Sequence, residues 1–239
     1  MYLRSLCVIA AMALIAPVAS AQEEEETSPW AGKATLGYLA TSGNTENTSL
    51  NAGFEVSYTM NKWLHGFNAA AINSAEDEVT TAEAYVAGWK SERSFSESNY
   101  MFGQLNWRKD RFSGYDTQFS QTVGYGRRLI DDEKHKLNAE IGAGARQSDL
   151  VDGTDESETI IRGALNYAWQ ISDNAAFSQT LAVESGSENT YTEAVSKLSA
   201  SLVGNLALAA SYTVKNNSEV PVGLEKTDTF TALSLEYTF

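Results

Sequence analysis

The chain of 239 residues has one cysteine, two histidines and three prolines, and beyond residue 21 no apolar run long enough for a spanning helix. Each shortage excludes something. The only cysteine, Cys7, falls in an N-terminal segment expected to be removed, so the mature chain has no thiol, disulfide or cysteine-based metal site. His65 and His135 alone are too few for an ordinary zinc site. Phosphate-binding glycine loops of the P-loop and dinucleotide kinds are missing, and no cofactor is expected. Basic charge is scarce, with 17 Lys and Arg against 31 Asp and Glu for a net charge of −14, which disfavours nucleic acid as a partner.

Residues 1–21, MYLRSLCVIAAMALIAPVASA, carry one Arg4, an apolar run to about Val18 and small residues at Ala19 and Ala21. That order is expected of a secretory signal peptide cut after Ala21. Residues 22–29 form a short acidic segment, and 30–239 are expected to be one domain. Export, with the A-x-A signal, points to a bacterial envelope protein.

What is present is alternation. In TSLNAGFEVSYTM (48–60), Leu50, Ala52, Phe54, Val56, Tyr58 and Met60 share one face, while Ser49, Asn51, Gly53, Glu55, Ser57 and Thr59 share the other. A helix would need spacings of three and four, so this is a strand with one greasy side. The device recurs at 136–146, 159–170 and 206–215. Twelve strands are expected, near 31–42, 47–60, 63–75, 81–93, 99–110, 115–130, 135–147, 157–171, 175–186, 191–202, 206–217 and 226–239. The fifth and tenth alternate poorly. Tight connections such as NK (61–62), DDEK (131–134) and GN (204–205) take turns with longer acidic ones, SAEDEVT (74–80) and SDLVDGTDES (148–157). The expected fold is therefore all-β, a transmembrane up-and-down antiparallel barrel of about twelve strands. Pro29 precedes the first strand and Pro221 lies in the last loop, so neither interrupts a ladder.

Aromatic residues are expected in two girdles at the ends of the strands. Tyr58, Trp63, Trp89, Tyr100, Tyr125, Tyr167, Trp169, Phe177, Tyr237 and Phe239 would lie at the tight-turn end. Tyr38, Trp107, Tyr115, Tyr191 and Tyr212 would lie at the loop end. LSLEYTF (233–239) reads as the closing strand, with Leu233, Leu235, Tyr237 and Phe239 facing lipid.

The polar faces carry the candidate lumen-lining residues Glu55, Lys136, Glu140, Arg146, Glu158, Arg162, Glu184 and Glu236, together with Lys33. If 135–147 and 157–171 pair around a loop near 152, Arg146 lies opposite Glu158 and Glu140 lies diagonal to Arg162, giving two cross-strand ion pairs. These charges read equally as a pore lining or as internal salt bridges that stiffen a small barrel. SGNTENT (42–48) and RFSGYD (111–116) read as turns, with Arg111, Phe112 and Tyr115 the best candidates for a loop folding inward. DLVDGTDESE lacks the spacing of a calcium loop. Neither histidine is placed beside a serine near the loop end, so no catalytic residue is assigned.

GYLATSGNTENTSLNAGFEVSY (37–58), RKDRFSGYDTQFSQTVGYGRRL (108–129) and the last strand ending in YTF resemble the YdiY-like family of salt-induced outer-membrane proteins. The likeness spans about residues 30–239. It implies a barrel in the bacterial outer membrane and supplies no catalytic residues. Tyr237 and Phe239 also resemble the terminal sorting signal read by the barrel assembly machinery, which with outer-membrane lipid and lipopolysaccharide completes the expected partners. Two functions are expected. One is a narrow passive pore for ions or small solutes with a mixed-charge lumen. The other is a non-conducting structural or envelope and salt-stress barrel.

Overall fold

The computed structural model describes residues 28–41, 47–77, 79–110 and 113–239. The expected signal peptide, most of the acidic segment, the SGNT turn at 42–45, Glu78, Arg111 and Phe112 lie outside the described residues. Twelve strands follow one another: β1 Trp30–Thr41, β2 Asn47–Met60, β3 Trp63–Glu76, β4 Val79–Ser94, β5 Asn99–Asp110, β6 Tyr115–Asp131, β7 His135–Leu150, β8 Asp155–Ser172, β9 Ala175–Ser185, β10 Thr190–Val203, β11 Leu206–Asn217 and β12 Thr227–Thr238. Each pairs antiparallel with the next, and β1 pairs with β12, so the sheet closes in chain order. The strands are 11 to 18 residues long, enough for a tilted strand to cross a hydrocarbon layer.

Strand bounds depart most from the sequence reading at the loop end. Strand β7 runs on to Leu150 and β8 begins at Asp155, with Ser148 opposite Glu156 and Asp149 opposite Asp155. The loops expected at 74–80 and 148–157 shrink to 77–78 and 151–154. Polar side chains do not stop a ladder whose backbone groups still find partners. At the other end the turns are tight. Asn61 and Gly204 open two-residue connections with φ of 54° each, the left-handed geometry that matches strand twist. In the β6–β7 turn Asp132 accepts the backbone N–H of His135 and Lys134, which holds its carboxyl below the usual carboxylate range.

The greasy faces point outward. Leu36, Phe54, Phe67, Val123, Ile141, Ile161 and Leu233 are all exposed on the barrel's outside. At the turn end Trp30 packs on Tyr58 with ring centroids 4.5 Å apart. His65 stacks between Trp63 and Trp89 at 5.8 and 6.4 Å. Three aromatic residues expected in the girdles instead point inward: Tyr100, Tyr115 and Tyr191 are 1%, 3% and 4% exposed. Tyr100 shares the inner parity of Arg108, opposite to that of Leu105 and Trp107. Tyr115 is turned in by a register shift between Tyr115 and Thr117. Tyr191 pairs with Glu184 across the β9–β10 ladder.

The closing seam is the shortest ladder. Strand β1 has twelve register pairs with β2 but four with β12, from Lys33–Thr238 to Leu36–Leu235. Beyond these, Gly32 and Phe239 exchange both backbone hydrogen bonds at 2.9 Å. The Phe239 ring lies over Gly32, where a Cβ would overlap it, and stacks near Phe54 and Tyr237 at 6.2 and 6.4 Å. Glycine here lets the aromatic cover the seam. Gly32→Val should therefore destabilise the barrel by about 1–3 kcal/mol, as overpacking does. Gly163→Ala, with open space around its Cβ position, should not. The temperature at which the folded band on a gel converts to the unfolded one checks both.

Candidate functional site

Alternation turns one residue in two into the barrel, and the inner faces of β5 to β9 meet in a packed charge network. At its loop-end half lies Arg146 of β7, with no exposure to solvent. Its guanidinium donates to Glu158 Oε1 from Nη2 at 2.5 Å and from Nε at 3.1 Å, and Nη1 lies 3.8 Å from Glu184 Oε2. Arg108 of β5 reaches across the interior to the same Glu184 carboxylate at 2.8 Å, its guanidinium stacked 4.0 Å above the Tyr191 ring. The network also ties down two connections. Arg146 donates to the Asn189 carbonyl, and Glu158 accepts the Glu188 N–H at 2.8 Å. The buried Asn189 side chain donates to Asn217 and accepts from Ser218 and the Glu219 N–H. Tyr115 donates to the Glu219 carbonyl at 3.1 Å.

Toward the turn end Glu140 is the centre. It accepts from Arg162 at 3.0 Å, from the Tyr100 hydroxyl at 2.7 Å and from Lys90, which also pairs with Glu92 at 2.9 Å. The rings of Tyr100 and Phe102 fit because the positions beneath them are glycines. A Cβ on Gly126 would overlap Tyr100, and one on Gly142 would press on Phe102 at 3.2 Å. A third cluster lies toward the seam, where Glu236 takes Lys197 at 2.9 Å and Lys33 at 3.9 Å, and Lys33 reaches Glu55 at 3.1 Å.

Of the candidate lumen residues, Glu140, Arg146, Glu158, Arg162, Glu184 and Glu236 are buried in the interior. Both expected pairs form: Arg146 faces Glu158 across the β7–β8 ladder, and Glu140 bonds its diagonal neighbour Arg162. Glu55 shares this inner face yet its side chain is 62% exposed. Lys136 is a correction. It has the inner parity but sits at the turn-end rim, 65% exposed and 3.7 Å from Asp131, because the strand projects past the enclosed interior there. Lys90, Arg108, Lys197, Lys215 and Asn189 join these interior charges from outside the candidate set. Arg108 was legible in principle, since Leu105 and Trp107 fix the outer parity of β5 and so turn residue 108 inward.

The other half of the interior is open. A cavity of about 390 Å³ lies against β2, β3, β4 and β12, lined by Ser49, Asn51, Ser74, Thr81, Asp228 and Phe230 among others. It adjoins the stretch of β12 that runs beyond its ladder with β1. Toward the turn end the inward-facing Glu55, Asn68 and Ala70 are all exposed, so water-accessible positions run in a column along β2 and β3. On the packed side the void beside Arg108, Tyr115 and Tyr191 is about 20 Å³, room for a single water.

Buried ion pairs cost desolvation to form, and breaking one strands a charge. Arg146→Ala should destabilise the barrel by about 3–5 kcal/mol, since Glu158 loses its partner, while Arg146→Met with Glu158→Met should cost less than the single change. Urea unfolding midpoints of the refolded proteins check the order.

Comparison with known proteins extends this geometry. Residues 34–239 match the family described as "Protein of unknown function, DUF481". YdiY of Escherichia coli (strain K12) is 34% identical over 210 residues, covering 87% of this chain and 83% of that protein. Among solved structures, an outer membrane channel from Pseudomonas putida F1 shares the fold, with a TM-score of 0.53 at 10% identity over 93% of this chain and 100% of that one. Matched along nearly the whole of its barrel and alike in sequence to YdiY, the chain belongs to the DUF481 family.

Proposed function

We propose that this protein resides in the bacterial outer membrane and forms a narrow, passive pore for ions or small polar solutes. The observation that carries the reading is the exposure of Glu55, Asn68 and Ala70 although all three face inward. A side chain inside a barrel meets solvent only if the lumen admits water. The cavity at the loop end lies against the same two strands, β2 and β3, and eight of its twelve lining residues carry a hydroxyl, amide or carboxylate group. Twelve strands enclose more volume than eight, whose side chains nearly fill the interior, and less than the sixteen of a wide porin.

In this reading residues 1–21 direct export, the terminal Tyr237 and Phe239 present the strand to the barrel assembly machinery, and the acidic loop end faces lipopolysaccharide. A second reading rests on the packed half. There Arg146, Glu158, Glu184 and Arg108 fill most of the space between β5 and β9, as a purely structural envelope barrel would require.

Conductance of the refolded protein in a planar bilayer separates the two. Discrete current steps are expected, and Glu55→Lys should shift the reversal potential in a salt gradient toward anions, because this charge is in contact with the water path. A folded barrel that never conducts would leave the structural reading standing.

A further inference from the structure

We infer that the Asp110–Lys215 ion pair is the constriction that sets the size limit of this pore, an inference that rests on the pore reading above. Strands β5 and β11 lie six places apart either way round the closed sheet, so these two residues stand on opposite walls. Their side chains nonetheless meet, with Lys215 Nζ 3.6 Å from Asp110 Oδ2, and are only 11% and 14% exposed. The ammonium is braced from its own wall, 5.0 Å over the ring of Phe230.

The pair forms the partition between two unlike spaces. On one side is the void of about 20 Å³ against Arg108 and Tyr191; on the other is the open cavity of about 390 Å³. Asp110 lines both. Asp228, opposite Lys215 in the β11–β12 ladder, also lines both. A strut across the diameter caps the width available at the loop end, so what passes is limited to the scale of a hydrated ion or small polyol. The arm of Lys215 is the part that can be removed without touching the β5–β9 network.

The test is single-channel conductance of the full-length mature protein, with the gel shift on heating used to confirm folding. Lys215→Ala should raise conductance at least about twofold, since it removes the cross-lumen arm. The charge swap Asp110→Lys with Lys215→Asp should return it toward the wild-type value. If Lys215→Ala fails to fold, Asp110→Ala carries the same expectation, read also as entry of larger sugars in liposome swelling. A conducting wild type whose conductance none of these changes alters would overturn the constriction alone. A folded wild type with no current steps would overturn the pore reading, and the constriction with it.

Discussion

A guanidinium with no access to water has to be surrounded by acceptors, and Arg146 meets that requirement with Glu158, Glu184 and the Asn189 carbonyl. Much of the interior follows from that one demand. Glu184 must in turn balance Arg108, which draws β5 toward β9 across the barrel. Asn189 can be reached only if its connection folds inward, and Asn217, Ser218 and Glu219 close around it. The loop end is thus pinned on one side by charge rather than by a hydrophobic plug.

The asymmetry of the lumen is a matter of side-chain reach. The inner positions of β5, β7 and β8 hold Tyr100, Phe102, Arg108, Glu140, Arg146 and Arg162, long enough to meet over glycines on the neighbouring strands β6 and β7. The inner positions of β2 and β3 hold Ser49, Asn51, Gly53, Ala70 and Ser74, none of which reaches the axis. A twelve-stranded cylinder is too wide for short side chains to fill, so the half built of them stays open. The same backbone therefore carries a rigid wall and a water-accessible one. The bridge between Lys215 and Asp110 marks their boundary.

Period-two alternation, together with the turn signals between segments, places the twelve strands, because outer and inner faces of most of them differ so strongly in polarity. The register of β7 and β8, with Arg146 opposite Glu158, follows instead from centring their loop near residue 152. Alternation failed where the signal is weak or the geometry is three-dimensional. Strand β5 has Tyr100 and Phe102 inside and Met101, Leu105 and Trp107 outside, so alternation vanishes and Tyr100 looked like a girdle residue. Tyr115, read both as a girdle residue and as part of a loop folding inward, is turned in by a bulge that no local pattern announces. Lys136 has the correct parity at the wrong height, and parity says nothing of height. Links such as Arg108–Glu184 and Lys215–Asp110 join residues 76 and 105 positions apart, and only closure of the sheet brings them together.

Whether one half of the lumen is wet and the other sealed can be read from accessibility. Residues 22–239 contain no cysteine, so single cysteines placed in a chain that begins at residue 22 report without background. Asn68→Cys in the open half and Ser120→Cys in the packed half can be exposed to a water-soluble thiol reagent in the folded, membrane-reconstituted barrel. Rapid modification is expected at residue 68, with strong protection at residue 120 until the protein is unfolded. Equal labelling at both positions, or protection of residue 68, would contradict that division of the lumen.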